Sequence, residues 1–276
     1  MSGDAMQRLL DIMRQLRDPD TGCPWDLQQD YASLAPYTLE EASEVVDALE
    51  RGSLDDLRDE LGDLLFQVVF LSQLATEDGR FDFDSVARAI GDKLVNRHPH
   101  VFARTATAAD SGEVLRQWEG LKAEERAARG VSGVLDGVPM SLPALVRASK
   151  LGKRAARVGF DWPDADGARR KVDEELAELD AALASGDAAH VDEELGDLLF
   201  AMVSWSRLLG RDPEKLLRAA SRKFEQRFRL MEAAARERAL VLESLSPEAW
   251  DALWEAAKRA SRAGDGVFRG DSSPSA

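Results

Sequence analysis

The chain has 276 residues, of which 44% are hydrophobic and 32% charged, and it carries a formal net charge of −15. This length suits one large domain or two of about 100 to 150 residues, and the acidic balance argues against nucleic acid as a partner, since a phosphate-backbone binder needs a basic face. A single cysteine, Cys23, excludes an intrachain disulfide and a cysteine metal cluster. No apolar run approaches the roughly 18 residues of a membrane span, and the N-terminus lacks the apolar core of a signal peptide. We therefore expect a cytoplasmic protein with no membrane partner.

The first part of the chain, residues 1–104, predicts a helical domain. Apolar residues recur at spacings of three and four, and good helix formers dominate. Glu40, Glu41 and Glu44 precede a glycine-containing break at 51–53, and Glu60 and Asp63 follow it. This order predicts two helices joined by a tight turn, an αα-hairpin with acidic residues on both arms.

The regular helical pattern of the sequence is interrupted after residue 104. Residues 105–142 predict a linker with one helix at about 113–129, followed by a glycine-rich loop. A second helical domain is predicted over 143–263, and the Gly-, Ser- and Pro-rich residues 264–276 predict a disordered tail.

The second domain repeats the acidic pattern of the first at a distance of 134 residues. Its acids are Glu174, Glu175, Glu178, Glu194 and Asp197, with a break at 185–187, and the heptapeptide Glu-Leu-Gly-Asp-Leu-Leu-Phe occurs in both copies. Downstream of each copy stands a Lys-x-x-x-Arg pair, which places two cations on one helical face. The pairs are Lys93 with Arg97 and Lys223 with Arg227.

Acids three residues apart share a helix face, so the two arms of each hairpin can bring four carboxylates together. Two such charges about 4 Å apart repel by roughly 4 kcal/mol at an effective dielectric of about 20. Protonation, a splayed and solvated arrangement, or a divalent cation can relieve this repulsion, and the exact repetition favours the cation. Oxygen-only ligands suit Mg²⁺, with Mn²⁺ as a substitute, whereas zinc and di-iron sites need histidine or cysteine ligands that these motifs lack. The leucines and phenylalanine of each heptapeptide are expected to face a core.

These motifs resemble the MazG family of all-α nucleoside triphosphate pyrophosphohydrolases over about residues 6–260. Supporting segments include Gly22-Cys-Pro-Trp-Asp26, Arg97-His-Pro-His-Val-Phe102, Val158-Gly-Phe-Asp-Trp162 and Lys223-Phe-Glu-Gln-Arg-Phe228. The resemblance implies an all-α fold of two tandem units, whose hairpins pair into four-helix-bundle-like arrangements, and a homodimer. It also implies Mg²⁺-dependent hydrolysis of NTPs and dNTPs to a nucleoside monophosphate and pyrophosphate, which would cleanse the nucleotide pool.

The resemblance further assigns catalysis to the second unit. The implied metal and catalytic residues are Glu175, Glu178, Glu194 and Asp197, and the implied substrate contacts are Lys223, Arg227 and Trp254. Ser221 departs from the asparagine that relatives often carry two residues before this lysine. The first unit keeps a complete second acid set, Glu41, Glu44, Glu60 and Asp63, so whether it is active stays open.

Two other functions fit the same residues. A non-catalytic regulatory module would bind Mg²⁺–nucleotide without turnover, and a purely structural acidic bundle would bind neither. For the enzyme, Glu178 is our candidate general base, although any of the four carboxylates can be a ligand instead.

Overall fold

The computed structural model describes residues 2–102, Gly120 and 133–267. The chain divides into two compact units, Met1–Glu125 and Arg126–Ala276. All regular elements within the described ranges are helices, which confirms the all-α prediction. Of the predicted linker helix only Gly120 is described, and residues 268–276 lie outside the described residues. None of the helices in the described ranges is both long and apolar enough to span a bilayer.

The first unit is built around one long helical hairpin. Asp30 caps the first arm through a capping box with Ser33, and Gly52 ends that arm with a φ of 73°, a left-handed conformation that costs glycine little. Ser53 then caps the second arm by accepting from the Asp56 backbone N–H. The helices of this unit are α1 (Ser2–Leu16), α2 (Pro24–Leu27), α3 (Tyr31–Arg51), α4 (Leu54–Glu77), α5 (Phe83–Arg97) and α6 (Pro99–Phe102).

The second unit repeats this hairpin, and its helices begin and end with the same kinds of capping residues. Asp164 caps the first arm, Gly186 ends it with a φ of 75°, and Asp187 caps the second arm by accepting from the Ala189 and His190 backbone N–H groups. Both predicted αα-hairpins are therefore confirmed. The helices are α7 (Ala144–Ala156), α8 (Ala165–Ser185), α9 (Ala188–Leu208), α10 (Pro213–Glu237) and α11 (Pro247–Val267), with a 3₁₀ turn at Leu242–Ser244. Helix α11 thus passes the predicted domain end at Ala263.

Each unit has its own apolar core. In the first, α1 packs on α4 and the fully buried Phe70 is surrounded by four other buried side chains, namely Met13, Leu34, Val69 and Leu74. In the second, α10 packs on α11 through a cluster of buried and half-buried residues that includes Met231, Leu253, Ala257, Trp250 and Trp254.

A nearly buried arginine ties the end of the first helix to the end of the hairpin in each unit. Arg17, just after α1, donates to the Glu77 carboxylate at 2.6 Å. In the second unit the polarity is reversed, because Arg207 on α9 donates to Asp161, in the segment after α7, at 2.9 Å. The same connection is thus made twice with exchanged charges.

The prediction that the apolar residues of the heptapeptides face a core is confirmed only in part. Phe66 packs against the buried cluster around Phe70, whereas several of the leucines are exposed. Leu195 and Leu199 are 43% and 61% exposed, and Leu61 is 48% exposed. The reason is geometric: two helices cover one another on one side only, and the described residues of each unit leave the other side of these positions uncovered.

Candidate functional site

The two predicted acid clusters exist, each spanning the two arms of a hairpin. In the second unit one carboxylate oxygen each from Glu175 on α8 and from Glu194 and Asp197 on α9 lie within 4.8 Å of one another. Glu175 and Glu194 are buried, at 4% and 9% exposure. A cluster of carboxylates at these separations can hold a metal ion.

The fourth predicted acid of this cluster, Glu178, lies next to Glu175. Burial raises the pKa of Glu178, the charge of the nearby Lys171 opposes that rise, and the neighbouring Glu175 carboxyl adds to it. A carboxyl with a raised pKa is better suited to accept a proton near neutral pH than an ordinary glutamate.

The first unit contains the corresponding cluster of Glu41, Glu60 and Asp63, again with one oxygen of each within 4.8 Å of the others. Glu44, the fourth acid of this set, lies close enough to Glu60 to raise its pKa. Burial, followed by the charge of Asp63, raises the pKa of Glu41, and burial, followed by the charge of Glu44, raises that of Glu60. The raised pKa values of Glu41 and Glu60 indicate crowded negative charge, which a proton or a cation would relieve.

A lysine that we did not single out from the sequence belongs to the second cluster. The Lys171 ammonium lies 2.8 Å from carboxylate oxygens of both Glu174 and Glu175, and 3.9 Å from Glu178. Its hydrogen bonds with Glu174 and Glu175 raise its pKa, so it is fully charged at neutral pH. The spacing could have revealed it, because Lys171 stands four residues before Glu175 on α8 and therefore shares its face.

A histidine is the second side chain that distinguishes the surroundings of the two acid clusters. The His190 Nε2 lies 3.0 Å from the Glu194 carboxylate. The 134-residue repeat places Tyr37 where the second unit has Lys171, and Asp56 where it has His190. At these two positions the second cluster therefore has side chains that can carry positive charge, and the first cluster has none.

The three predicted substrate contacts lie on the last two long helices. The Arg227 guanidinium lies 5.7 Å from the centre of the Trp254 ring and its Nε donates to the Ser261 hydroxyl at 3.3 Å. Trp254 also packs against Phe224. Within the ranges that the structure describes, no ion pair joins Lys223 or Arg227 to the four carboxylates of the second cluster. The structure therefore brings Arg227 and Trp254 together, but not into contact with the acids.

The donor set fits a hard divalent cation. Glu175, Glu194 and Asp197 offer only oxygen atoms, which Mg²⁺ and Mn²⁺ prefer. His190 hydrogen-bonds to Glu194, one of the candidate metal ligands. It therefore orients that carboxylate, and the site is not a histidine-rich site of the zinc type.

Comparison with known proteins identifies a matching family model and relatives that cover most of the chain. A family model described as the MazG nucleotide pyrophosphohydrolase domain matches residues 29–102 and 167–229, and these two segments contain the two acid clusters. The nucleoside triphosphate pyrophosphohydrolase of Escherichia coli (strain K12) is 51% identical over 92% of the chain and 97% of its own length. The nucleoside triphosphate pyrophosphohydrolase/pyrophosphatase MazG of Thermotoga maritima is 42% identical over 93% of the chain and 97% of its own length. A crystal structure of a mazG-related protein from Thermotoga maritima covers 42% of the chain and 98% of its own, at 27% identity and a TM-score of 0.36.

Proposed function

This chain belongs to the MazG nucleotide pyrophosphohydrolase family and is a nucleoside triphosphate pyrophosphohydrolase, and we propose that it hydrolyses NTPs and dNTPs with Mg²⁺ at the second acid cluster. The observation that carries this proposal is the convergence of Glu175, Glu194 and Asp197 beside the Lys171 ammonium. Mn²⁺ would substitute, because it accepts the same ligands. The cellular role we propose is the removal of unwanted nucleotides.

In the proposed reaction a water oxygen attacks the α phosphorus and the bond from that phosphorus to the α–β bridging oxygen breaks. The products are a nucleoside monophosphate and pyrophosphate. When bound, Mg²⁺ supplies positive charge to the phosphate oxygens. Glu175, Glu194 and Asp197 would hold it, and Glu178, whose pKa is raised, would accept the proton of the attacking water.

The second cluster is our choice over the first because of its charge balance. Lys171 pairs with the buried Glu175, and His190 with the buried Glu194, so these two ligand oxygens are held in place before a cation arrives. Pre-positioned ligands lose less conformational freedom when they bind. Tyr37 and Asp56 give the first cluster no such support.

The cationic residues of α10 act on the triphosphate in this proposal. Lys223 and Arg227 would contact phosphate oxygens and Trp254 the nucleoside. We propose a homodimer, in which the exposed Leu195, Leu199 and their neighbours become buried. Light scattering of the purified chain tests this, and a monomer at micromolar concentration would contradict it.

Pyrophosphate release from a panel of nucleotides tests the catalytic proposal. We expect activity with Mg²⁺ and with Mn²⁺, and none when EDTA removes the metal. Glu178→Gln keeps the shape of the side chain but cannot accept the proton, so turnover should fall at least about a hundredfold. Its matched control in the first unit is Glu44→Gln, which should retain turnover. Full activity of Glu178→Gln, or equal loss in both variants, would contradict the assignment.

The alternative of a non-catalytic regulatory module predicts that Mg²⁺ and nucleotide bind and that the nucleotide is recovered intact. The names of the relatives do not favour it. Chromatographic analysis of the nucleotide after incubation separates the two functions.

A further inference from the structure

The first unit contains a buried amide whose oxygen has no protein partner. Gln67 lies in the middle of α4 and is 5% exposed, and among the described residues its Oε1 accepts no hydrogen bond. A buried polar group without a partner is costly, and native proteins keep few of them. The hairpin does not need an amide here, because the 134-residue offset aligns Gln67 with the buried Ala201. The orphaned oxygen therefore points to a ligand of the first unit.

Gln67 lies on the same face of α4 as the acids of the first cluster. It follows Asp63 by four residues and Glu60 by seven, which is about 6 Å and about 10 Å along the helix axis. Side chains on a helix lean towards its N-terminus. The Gln67 amide therefore leans towards Asp63, from the side of the apolar core.

The register of the two arms brings the acid on α3 to the same place. Leu34 on α3 packs in the same buried cluster as Phe70 on α4. Because the arms run antiparallel, the position three residues after Leu34 faces Gln67, and Glu41 faces Asp63. The carboxylate oxygens of Glu41 and Asp63 accordingly lie within 4.8 Å of one another. Glu41 leans towards the N-terminus of α3, which is the direction of Gln67.

The level of Gln67 is also where the two units differ in charge. The second unit has Lys171 and Ala201 at the two facing positions, and the first has Tyr37 and Gln67. The Tyr37 ring packs edge-on against Trp25 at 5.9 Å. Lys171 places an ammonium beside its acids, whereas the phenol and the amide carry no charge at neutral pH. The first unit thus gains an oxygen ligand where the second gains a positive charge.

The charge environment of the first cluster favours a cation over an anion. Burial and then neighbouring acids raise the pKa values of Glu41 and Glu60, whereas Lys171 opposes the rise at Glu178. A triphosphate brings further negative charge and finds no counterpart of Lys171 at this level. Carboxylates and an amide oxygen are ligands that hard divalent cations accept.

We propose that Glu41, Glu60, Asp63 and Gln67 form a separate cation site, which binds a divalent ion without nucleotide and stabilises the first unit. The ion would neutralise the acids and give the orphaned Gln67 oxygen a partner. It would hold the two arms of the hairpin together, since its ligands come from both α3 and α4. This inference does not depend on catalysis at the second cluster.

Replacing Gln67 by methionine gives a prediction whose sign depends on the role of the amide. Methionine has a similar length and no oxygen. In metal-free buffer Gln67→Met should unfold at a higher temperature than the wild type, because it removes an unpartnered polar group. Mn²⁺ should then raise the unfolding temperature of the wild type more than that of the variant. Gln67→Glu should reverse both effects, with a lower temperature without metal and a larger rise with Mn²⁺.

Electron paramagnetic resonance of Mn²⁺, titrated without nucleotide, measures the affinity directly. The full chain carries Asp197→Asn, which removes a ligand of the second cluster. Added Gln67→Met should weaken the remaining Mn²⁺ binding about tenfold, and Asp63→Asn should abolish it. The matched control is Gln73→Met on the same helix, whose amide donates to Glu77, and which should leave the affinity within about twofold.

Three results would overturn the cation site. They are destabilisation by Gln67→Met in metal-free buffer, equal Mn²⁺ affinity of the Gln67→Met and Gln73→Met chains, and Mn²⁺ binding that requires added nucleotide. A chain that binds Mn²⁺ here but releases no pyrophosphate would contradict the proposed function instead and leave this site in place.

Discussion

Replacing Lys171 by methionine removes the ammonium group beside the second acid cluster while keeping a side chain of similar length. At 2.8 Å from Glu175, the pair has a Coulomb attraction of about 6 kcal/mol at an effective dielectric of about 20, before desolvation is subtracted. The Glu175 side chain is 6% exposed, whereas that of Lys171 is 31% exposed. Because removing one partner of a buried pair costs about 3–5 kcal/mol and solvent screens the lysine, we expect a loss of about 2–3 kcal/mol.

Urea unfolding followed by circular dichroism, with and without Mg²⁺, measures this loss. In metal-free buffer Lys171→Met should unfold at lower urea, and saturating Mg²⁺ should recover most of the difference, because the cation takes over the neutralisation of Glu175. The control is Lys153→Met, which removes an exposed lysine from α7 and should change stability by less than about 0.5 kcal/mol. The reasoning is refuted if the two variants unfold alike in both buffers.

Further expectations concern the framework of the fold. The hydrogen bonds from Arg17 lower the pKa of Glu77 below its ordinary 4.5. The stabilisation from this pair is therefore present above pH 4.5 and lost as the pH falls through the lowered value. Glu77→Gln should lower the free energy of unfolding by about 1–2 kcal/mol at pH 7. The difference in unfolding free energy between this variant and the wild type should narrow below pH 4, and a difference that stays constant with pH would contradict this reasoning. Gly186→Ala places a Cβ at a φ of 75° and should lower the stability of the fold by about 1–2 kcal/mol. Gly91→Ala lies inside α5 with open space around it and should raise the stability by up to about 1 kcal/mol. Thermal melts in which Gly186→Ala is the more stable variant would contradict this. Phe70→Ala should cost about 3–5 kcal/mol by chemical unfolding, since the ring is fully buried, and a loss under 1 kcal/mol would show that the core has collapsed around it.

Local signals in the sequence predict the helices and the hairpins well. The acidic motifs and the breaks at 51–53 and 185–187 sit on regular helices with glycine ends and Asp or Ser caps, and these features depend on residues close together in the chain. The convergence of Glu175 with Glu194 follows from the same local geometry, since a tight turn brings two amphipathic arms together.

Features that depend on distant packing could not be derived in this way. The exposure of Leu195 and Leu199 contradicts the predicted core. The sequence of an apolar helix face does not show whether the residues that cover it belong to the same unit or come from elsewhere. The partner of Arg227, Trp254, lies on another helix.

The two arginine ties have a consequence for how each unit opens. Arg17 binds Glu77, 60 residues later, and Arg207 binds Asp161, 46 residues earlier, so each pair links the segment after the first helix of its unit to the second arm of the hairpin. The Arg17 and Arg207 side chains are only 9% and 10% exposed, and breaking such a pair leaves a charge that is largely shielded from water. Local opening of the first helix of either unit therefore has to break its ion pair, so the helix and the hairpin should open together rather than one after the other.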